Sequence, residues 1–152
     1  SNDIIPVLKK EIYMIANNYR YMIENKLNSD IIDLRNEVFV EEQGFTVEFD
    51  EYDSISKYAV IYHDENVIGV GRIYEDAGVS HIGRICVKKA YRKNKIGSLL
   101  LMLLERYAKY NIELEAQDRV STFYEKNGYT KTDHYSYEDG VKHVKMIKKI
   151  NR

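Results

Sequence analysis

The densest concentration of residues able to do chemistry lies between positions 82 and 104, IGRICVKKAYRKNKIGSLLLMLL. Lys88, Lys89, Arg92, Lys93 and Lys95 stand immediately before Gly97-Ser98 and a leucine-rich run. A helix beginning there would present unpaired backbone N–H groups and the positive end of its dipole, a setting that attracts anions. Gly97 permits close approach to the backbone, and Ser98 adds a hydroxyl in the first turn. Five cations beside such a turn suit a molecule carrying several phosphates. Charge alone also admits a solvated basic loop or a nucleic-acid patch. The segment is not a P-loop, because no glycine opens the G-x-x-x-x-G-K-[ST] spacing and no lysine precedes Ser98; a G-x-G-x-x-G fingerprint is absent as well.

Other side chains invite weaker readings. Val120, Phe123 and Tyr124 share one helix face, which by itself predicts core packing for Tyr124. Glu41, Glu42, Glu113, Glu115 and His81 could each serve as a base, although solvation explains them equally well. Cys86 as a nucleophile would need a neighbouring base, and His81, five residues away, points to the opposite face of a regular strand. A small buried hydrophobe is the simpler role. His63, His81, His134 and His143 show no ligand pairing and only one cysteine is present, so no metal site is expected. No G-x-S-x-G elbow occurs.

The elements that must position these residues follow from periodicity. Residues 4–17 read as a helix with Pro6 in its first turn, and 19–27 as a strand. Ser29 can cap a helix over 30–42, with Ile31, Leu34, Val38 and Phe39 along one face. An acidic loop covers 43–54. Strands over 57–63, 67–75 and 79–87 are joined by short turns and predict an antiparallel meander. Ile96, Leu99, Leu100, Leu103, Leu104, Tyr107 and Ala108 mark the clearest helix, 96–110. A strand at 112–116, a helix near 118–127 stopped by Gly128, and strands near 129–136 and 142–150 around Glu138-Asp139-Gly140 complete the chain. Paired strands followed by strands separated by helices indicate an α+β domain with a mixed sheet.

Composition narrows the class. The 152 residues carry 23 Lys and Arg against 24 Asp and Glu, a net charge of −1, so the surface as a whole is not built for nucleic acid or an anionic membrane. A 44% hydrophobic fraction with 31% charge fits a folded domain rather than a disordered chain. One cysteine excludes an intramolecular disulfide framework. No apolar run reaches the roughly 18 residues of a membrane span, and no signal-peptide pattern is visible, so a cytoplasmic location is expected.

Arg92-Lys93-Asn94-Lys95-Ile96-Gly97 resembles the R/Q-x-x-G-x-G/A loop of the GCN5-related N-acetyltransferase (GNAT) family, which grips the pyrophosphate of acetyl-CoA. Phe123-Tyr124-Glu125-Lys126-Asn127-Gly128-Tyr129 is similar to the family's FYEKxGF segment. Ala116-Gln117 and the earlier run Asn36-Glu37-Val38-Phe39-Val40-Glu41-Glu42-Gln43 resemble the ElaA-like subgroup. The resemblance extends over roughly 19–150. Lys95 stands where the first glycine is usual, so its side chain either crowds the phosphates or points outward as an extra cation, and Ala90 replaces a frequent proline.

The resemblance implies one acyl-CoA N-acyltransferase domain over 1–152, preceded within it by an additional helix at 1–17. It implies a mostly antiparallel sheet of six to seven strands flanked by helices, with the strands at 82–87 and 112–116 splayed apart to admit the pantetheine arm. Backbone groups of Ile85, Cys86 and Val87 would bond that arm, and Arg92, Lys93, Asn94, Lys95, Ile96, Gly97 and Ser98 would hold the pyrophosphate. Tyr124 would be the general acid toward the departing thiolate, while the base stays unassigned. Arg35, Glu41, Glu42, Gln43, Asp50, Glu51, Tyr52 and Asp53 would border the acceptor; clustered carboxylates suit a polyamine, an aminosugar or a lysine-like amine, and equally suit a solvated loop. The function implied is acetyl transfer from acetyl-CoA to a primary amine of a small molecule or peptide, without nucleic acid, membrane or metal. A non-catalytic acyl-CoA sensor is the alternative. Dimers are frequent in the family, so a homodimer is among the expectations.

Overall fold

The computed structural model describes residues 4–46 and 49–150. Helix α1 spans Ile4–Ala16 and leads into strand β1, Tyr19–Glu24. Helix α2, Ser29–Arg35, runs directly into a π-helical segment, Asn36–Glu42. A short 3-10 turn, Glu51–Ile55, precedes strands β2 (Lys57–His63), β3 (Asn66–Asp76) and β4 (Val79–Val87). A second 3-10 turn, Lys89–Tyr91, precedes helix α3 (Ile96–Glu105) and strand β5 (Ile112–Gln117). A third, Asp118–Val120, precedes helix α4 (Ser121–Lys126) and the final hairpin of β6 (Thr130–Glu138) and β7 (Val141–Lys148).

All seven strands form one sheet in the order β1-β2-β3-β4-β5-β7-β6. Every neighbouring pair is antiparallel except β4 and β5. The α+β sheet expected from the sequence is present. The order of strands and main helices also agrees, and the differences fall at element ends and in the helix and loop between β1 and β2. Asn28, not Ser29, caps α2, its side chain accepting from the Ile31 amide at 2.9 Å. The single helix expected over 30–42 changes hydrogen-bond pattern at Asn36, and α3 ends at Glu105 rather than 110.

Two apolar clusters cover the two faces of the sheet. Ile61, Ile68, Ile73, Ile82 and Ile112 pack with Leu99, Leu100, Leu103 and Leu104 of α3 on one side. Tyr58, Val60, Val70 and Cys86 pack with Ile31, Leu34 and Val38 on the other. Two β3 glycines let α3 lie close to the sheet. A Cβ on Gly69 would sit 2.7 Å from Ile96 Cγ2, and one on Gly71 would sit 2.5 Å from Ile85 Cδ1 and 2.9 Å from Leu104 Cδ1.

On the α2 side the core contains an ionic cluster. Arg35, 0% exposed, donates to both oxygens of Asp53 at 2.6 and 3.1 Å. Arg72 reaches Asp50 at 2.6 and 2.7 Å and Asp53 at 3.0 Å, and Tyr58 donates to Asp53 Oδ1 at 2.8 Å. Asp50 and Asp53 also cap the 3-10 turn reciprocally. Against the opposing effect of burial, the hydrogen bonds from Arg35, Asp50 and Tyr58 hold the Asp53 carboxyl well below the ordinary aspartate range.

A depressed carboxyl contributes stability that is present above its unfolded value, about 3.9, and drains away as pH falls below it. Asp53→Asn removes the charge while leaving Arg35 buried, so it is expected to destabilise the fold by about 3–5 kcal/mol in urea denaturation at neutral pH. Below pH 4 the gap between wild type and variant should narrow.

Candidate active site

Strands β4 and β5 pair at only two positions, Ser80 with Ile112 and His81 with Glu113, and then separate. The cause lies in β4. Val70 pairs with Cys86 but Arg72 pairs with Gly83, so β4 carries one extra residue, a bulge at Arg84 and Ile85. Arg84 takes a left-handed φ of 51°, unusual for a residue with a side chain. Arg84 also donates to Asp50 at 3.2 Å, which ties the bulge to the buried ionic cluster.

The extra residue reverses which way the strand faces. Ile82 and Cys86, four apart, belong to the clusters on opposite sides of the sheet. His81 and Cys86 therefore share a face, correcting the expectation from a regular strand. The role inferred for Cys86 still stands, because it is 3% exposed and packed among Val38, Val60 and Val70. The His81 ring is stacked on Tyr74 at 4.9 Å.

The separation opens a cavity of about 480 Å³, bordered by β4, β5, the π-helical segment, α4 and the start of α3. The Lys88 amide donates to Ile68 of β3, so strand alternation turns the backbone of Val87 toward the gap, while Ile85 lies in the bulge and borders the cavity. The same alternation commits the Cys86 amide to β3. Val87 O accepts from Arg92 Nε at 3.1 Å.

At the other end of the cavity Lys95 caps α3 with a left-handed φ of 64°. This is the conformation a glycine would take without strain, and Lys95 adopts it with its side chain turned aside: Nζ lies 5.5 Å from the centre of the Tyr13 ring. The amine is thus drawn toward α1, while Lys95 still borders the cavity. Tyr13 of α1 also donates to Asn94 O at 2.8 Å, so the additional N-terminal helix braces this loop. Leu99 is the first amide bonded within the turn, to Lys95 O at 3.1 Å, which leaves those of Ile96, Gly97 and Ser98 without partners in the helix. The Ile96 side chain is fully buried; Arg92, Lys93, Lys95, Gly97 and Ser98 border the cavity. A Cβ on Gly97 would lie 2.8 Å from Phe123 Cζ, so this glycine makes room for an aromatic ring.

Arg92 is held by both oxygens of Glu42. That pair pulls the Glu42 carboxyl below its ordinary value and joins the basic loop to the π-helical segment. The expected carboxylate-lined acceptor pocket is accordingly not what forms. Glu42 is engaged by Arg92, and Asp50 and Asp53 are engaged by Arg35, Arg72 and Arg84. Tyr52 stacks on Tyr74 at 4.4 Å. Positions 47–48 of the acidic loop lie outside the described residues. Of the residues expected at the acceptor, Gln43 does border the cavity.

Tyr124 stands in the cavity wall, its ring 4.9 Å from Phe123, and its hydroxyl has no hydrogen-bond partner among the described residues. Burial pushes that hydroxyl up to about 12, so it keeps its proton at any working pH. Sequence reasoning named Gln43 and Glu115 but missed Phe45, Gln117 as a site group and His143, which border the same cavity. Gln117 donates to Gln43 at 3.0 Å, Phe45 packs edge-on to His143 at 6.4 Å, and Glu115 and His143 border the same space. Burial raises the Glu115 carboxyl, with Lys145 and His143 pulling it down. Alternation on β7 could have placed His143 opposite the core residues Val144 and Met146; nothing local told that the segment around Phe45 folds over that face.

The chain belongs to the GNAT acetyltransferase family, the family model for an acetyltransferase (GNAT) domain matching residues 27–150. It is 33% identical to the Bacillus subtilis protein YyaT over 81% of this chain and 89% of that one. It is also 33% identical to the B. subtilis N-acetyltransferase YjcF over 78% and 90%. Its fold superposes on Escherichia coli ElaA with a TM-score of 0.76, at 24% identity, covering 86% of this chain and 99% of that one. Helix α1 precedes the family match.

Two substitutions at the turn should act in opposite directions. Gly97→Ala drives a methyl into the Phe123 ring and is expected to destabilise by about 1–3 kcal/mol. Lys95→Gly relieves the left-handed backbone and is expected to stabilise by up to about 1 kcal/mol. Urea unfolding of both variants checks the two signs.

Proposed function

We propose that the protein transfers an acetyl group from acetyl-CoA directly to a primary amine of a small molecule or peptide. One observation carries this reading. A single cavity joins the unpaired amides that open α3, the free edge of β4 beyond its bulge, and the partnerless hydroxyl of Tyr124. The three parts match the three parts of a thioester donor: a diphosphate, an amide-containing arm and a sulfur that must leave. Support also comes from the fold, which superposes with a TM-score of 0.66 on a B. subtilis acetyltransferase solved with CoA.

In this reading the amides of Ile96, Gly97 and Ser98, with Lys93, hold the diphosphate, and Arg92 acts mainly as a strut to Glu42. The arm lies along β4 against the backbone of Ile85 and Val87. An N–H of that edge meets the charge that grows on the thioester oxygen during attack. Tyr124 donates to the sulfur as the carbon–sulfur bond breaks. Holding both reactants in one cleft supplies much of the acceleration.

A thiol-release assay with acetyl-CoA and a panel of amines, beside CoA titration calorimetry, tests the proposal. Tyr124→Phe is expected to lower kcat by about a hundredfold or more while CoA affinity stays at the wild-type level. Thermal stabilisation by CoA with no turnover on any amine would instead favour a sensing module.

A further inference from the structure

Resting on that reading, we propose that His143 is the general base, taking a proton from the acceptor ammonium on Nε2, directly or through one water. His143 lies in β7, is only 6% exposed, and borders the cavity beside Gln43, Glu115 and Gln117. Its Nδ1 is 2.9 Å from Val141 O. A carbonyl oxygen can only accept, so Nδ1 carries the proton and Nε2 carries the lone pair. Nε2 has no hydrogen-bond partner among the described residues. The edge of Phe45 and the Val141 carbonyl together fix the ring.

Glu41 is exposed and does not border the cavity, and other competing bases are engaged elsewhere. Glu42 is held by Arg92, Glu113 lies 3.4 Å from Lys145 Nζ, and the His81 ring is stacked on Tyr74. Glu115 is the remaining candidate on the same face, paired across the strands with Lys145 while Gln117 pairs with His143. His143 and Lys145 of β7 both act on the Glu115 carboxylate of β5, as does Glu138 of β6; Arg84 of β4 and Arg119, which donates to Gln117, border the same cavity.

The step balances. The ammonium gives one proton to Nε2 and its nitrogen gains a lone pair; the lone pair forms the C–N bond; the C–S bond breaks with its electrons on sulfur. The nitrogen loses a second proton as the amide forms, matching the proton that ends on the CoA thiol, and the imidazolium releases its own to solvent.

His143→Asn keeps a donor for Val141 O but has no basic nitrogen. With wild-type CoA affinity and thermal stability, it is expected to lower kcat by about a hundredfold. The acid limb of its kcat/KM profile should move up toward the titration of the ammonium itself. His143→Ala should recover turnover with added imidazole, and Glu115→Gln should lose much less. Nitrogen-15 NMR of the unliganded protein should find the Nδ1–H tautomer. An Nε2–H tautomer, or a His143→Asn enzyme as fast as wild type with an unmoved profile, overturns the assignment. A wild-type protein that neither binds CoA nor transfers acetyl overturns the acetyltransferase reading instead.

Discussion

A left-handed arginine inside a strand keeps the site open. Without the extra residue at Arg84, β4 would present a regular ladder edge, and nothing in its sequence would prevent it from continuing beside β5 past His81. A non-glycine residue in that conformation costs about 1–2 kcal/mol and persists only when its surroundings impose it. Here Asp50 supplies part of that constraint, gripping Arg84 while it also accepts two bonds from Arg72 on the neighbouring strand. The buried ionic cluster therefore serves the cavity as well as the core: it pins the loop at 50–53 across β3 and β4 where β4 must bend.

That cluster changes what the acidic loop means. Three guanidinium groups, Arg35, Arg72 and Arg84, meet two carboxylates, Asp50 and Asp53, so the local charge is not negative. A cationic acceptor gains nothing from carboxylates already saturated in this way. Specificity must come from the groups that do face the cavity, among them Gln43, Gln117, Glu115, His143 and Phe45. In the proposed reaction the donor is gripped largely by backbone, which any sequence can offer once the bulge exists. The acceptor meets side chains, which are free to vary without disturbing the donor.

Much of this is legible in the sequence because it is periodic. The strands read at 57–63, 67–75 and 79–87 and the leucine helix follow from alternation and from the three- and four-residue step. What is not legible has non-local causes. The bulge depends on Asp50, thirty-four residues from Arg84, and only its consequence shows that Ile82 and Cys86 face opposite ways. The change to π-helical bonding at Asn36 lets Gln43, Gly44 and Phe45 bond back to Val38, Val40 and Phe39, a switch that apolar spacing cannot reveal. Lys95 departs from a glycine position, yet Tyr13, eighty-two residues earlier, gives its side chain somewhere to go.

The relative placement of the diphosphate turn and the proton donor is set by α3 being gripped at both ends. At its first turn Gly97 faces the Phe123 ring, which touches Tyr124. At its last, Glu105 accepts from Tyr129 at 2.7 Å and from Lys148 at 3.1 Å, and Tyr129 lies 6.0 Å from Tyr124. Tyr124 thus sits between two contacts to one rigid helix, while Gly69 and Gly71 hold that helix against β3. A shift of α3 along its axis would have to break the Glu105 bonds and push Phe123 at once. Reactions that rely on positioning lose rate steeply with displacements of an ångström, and this closed circuit of packing is what resists them.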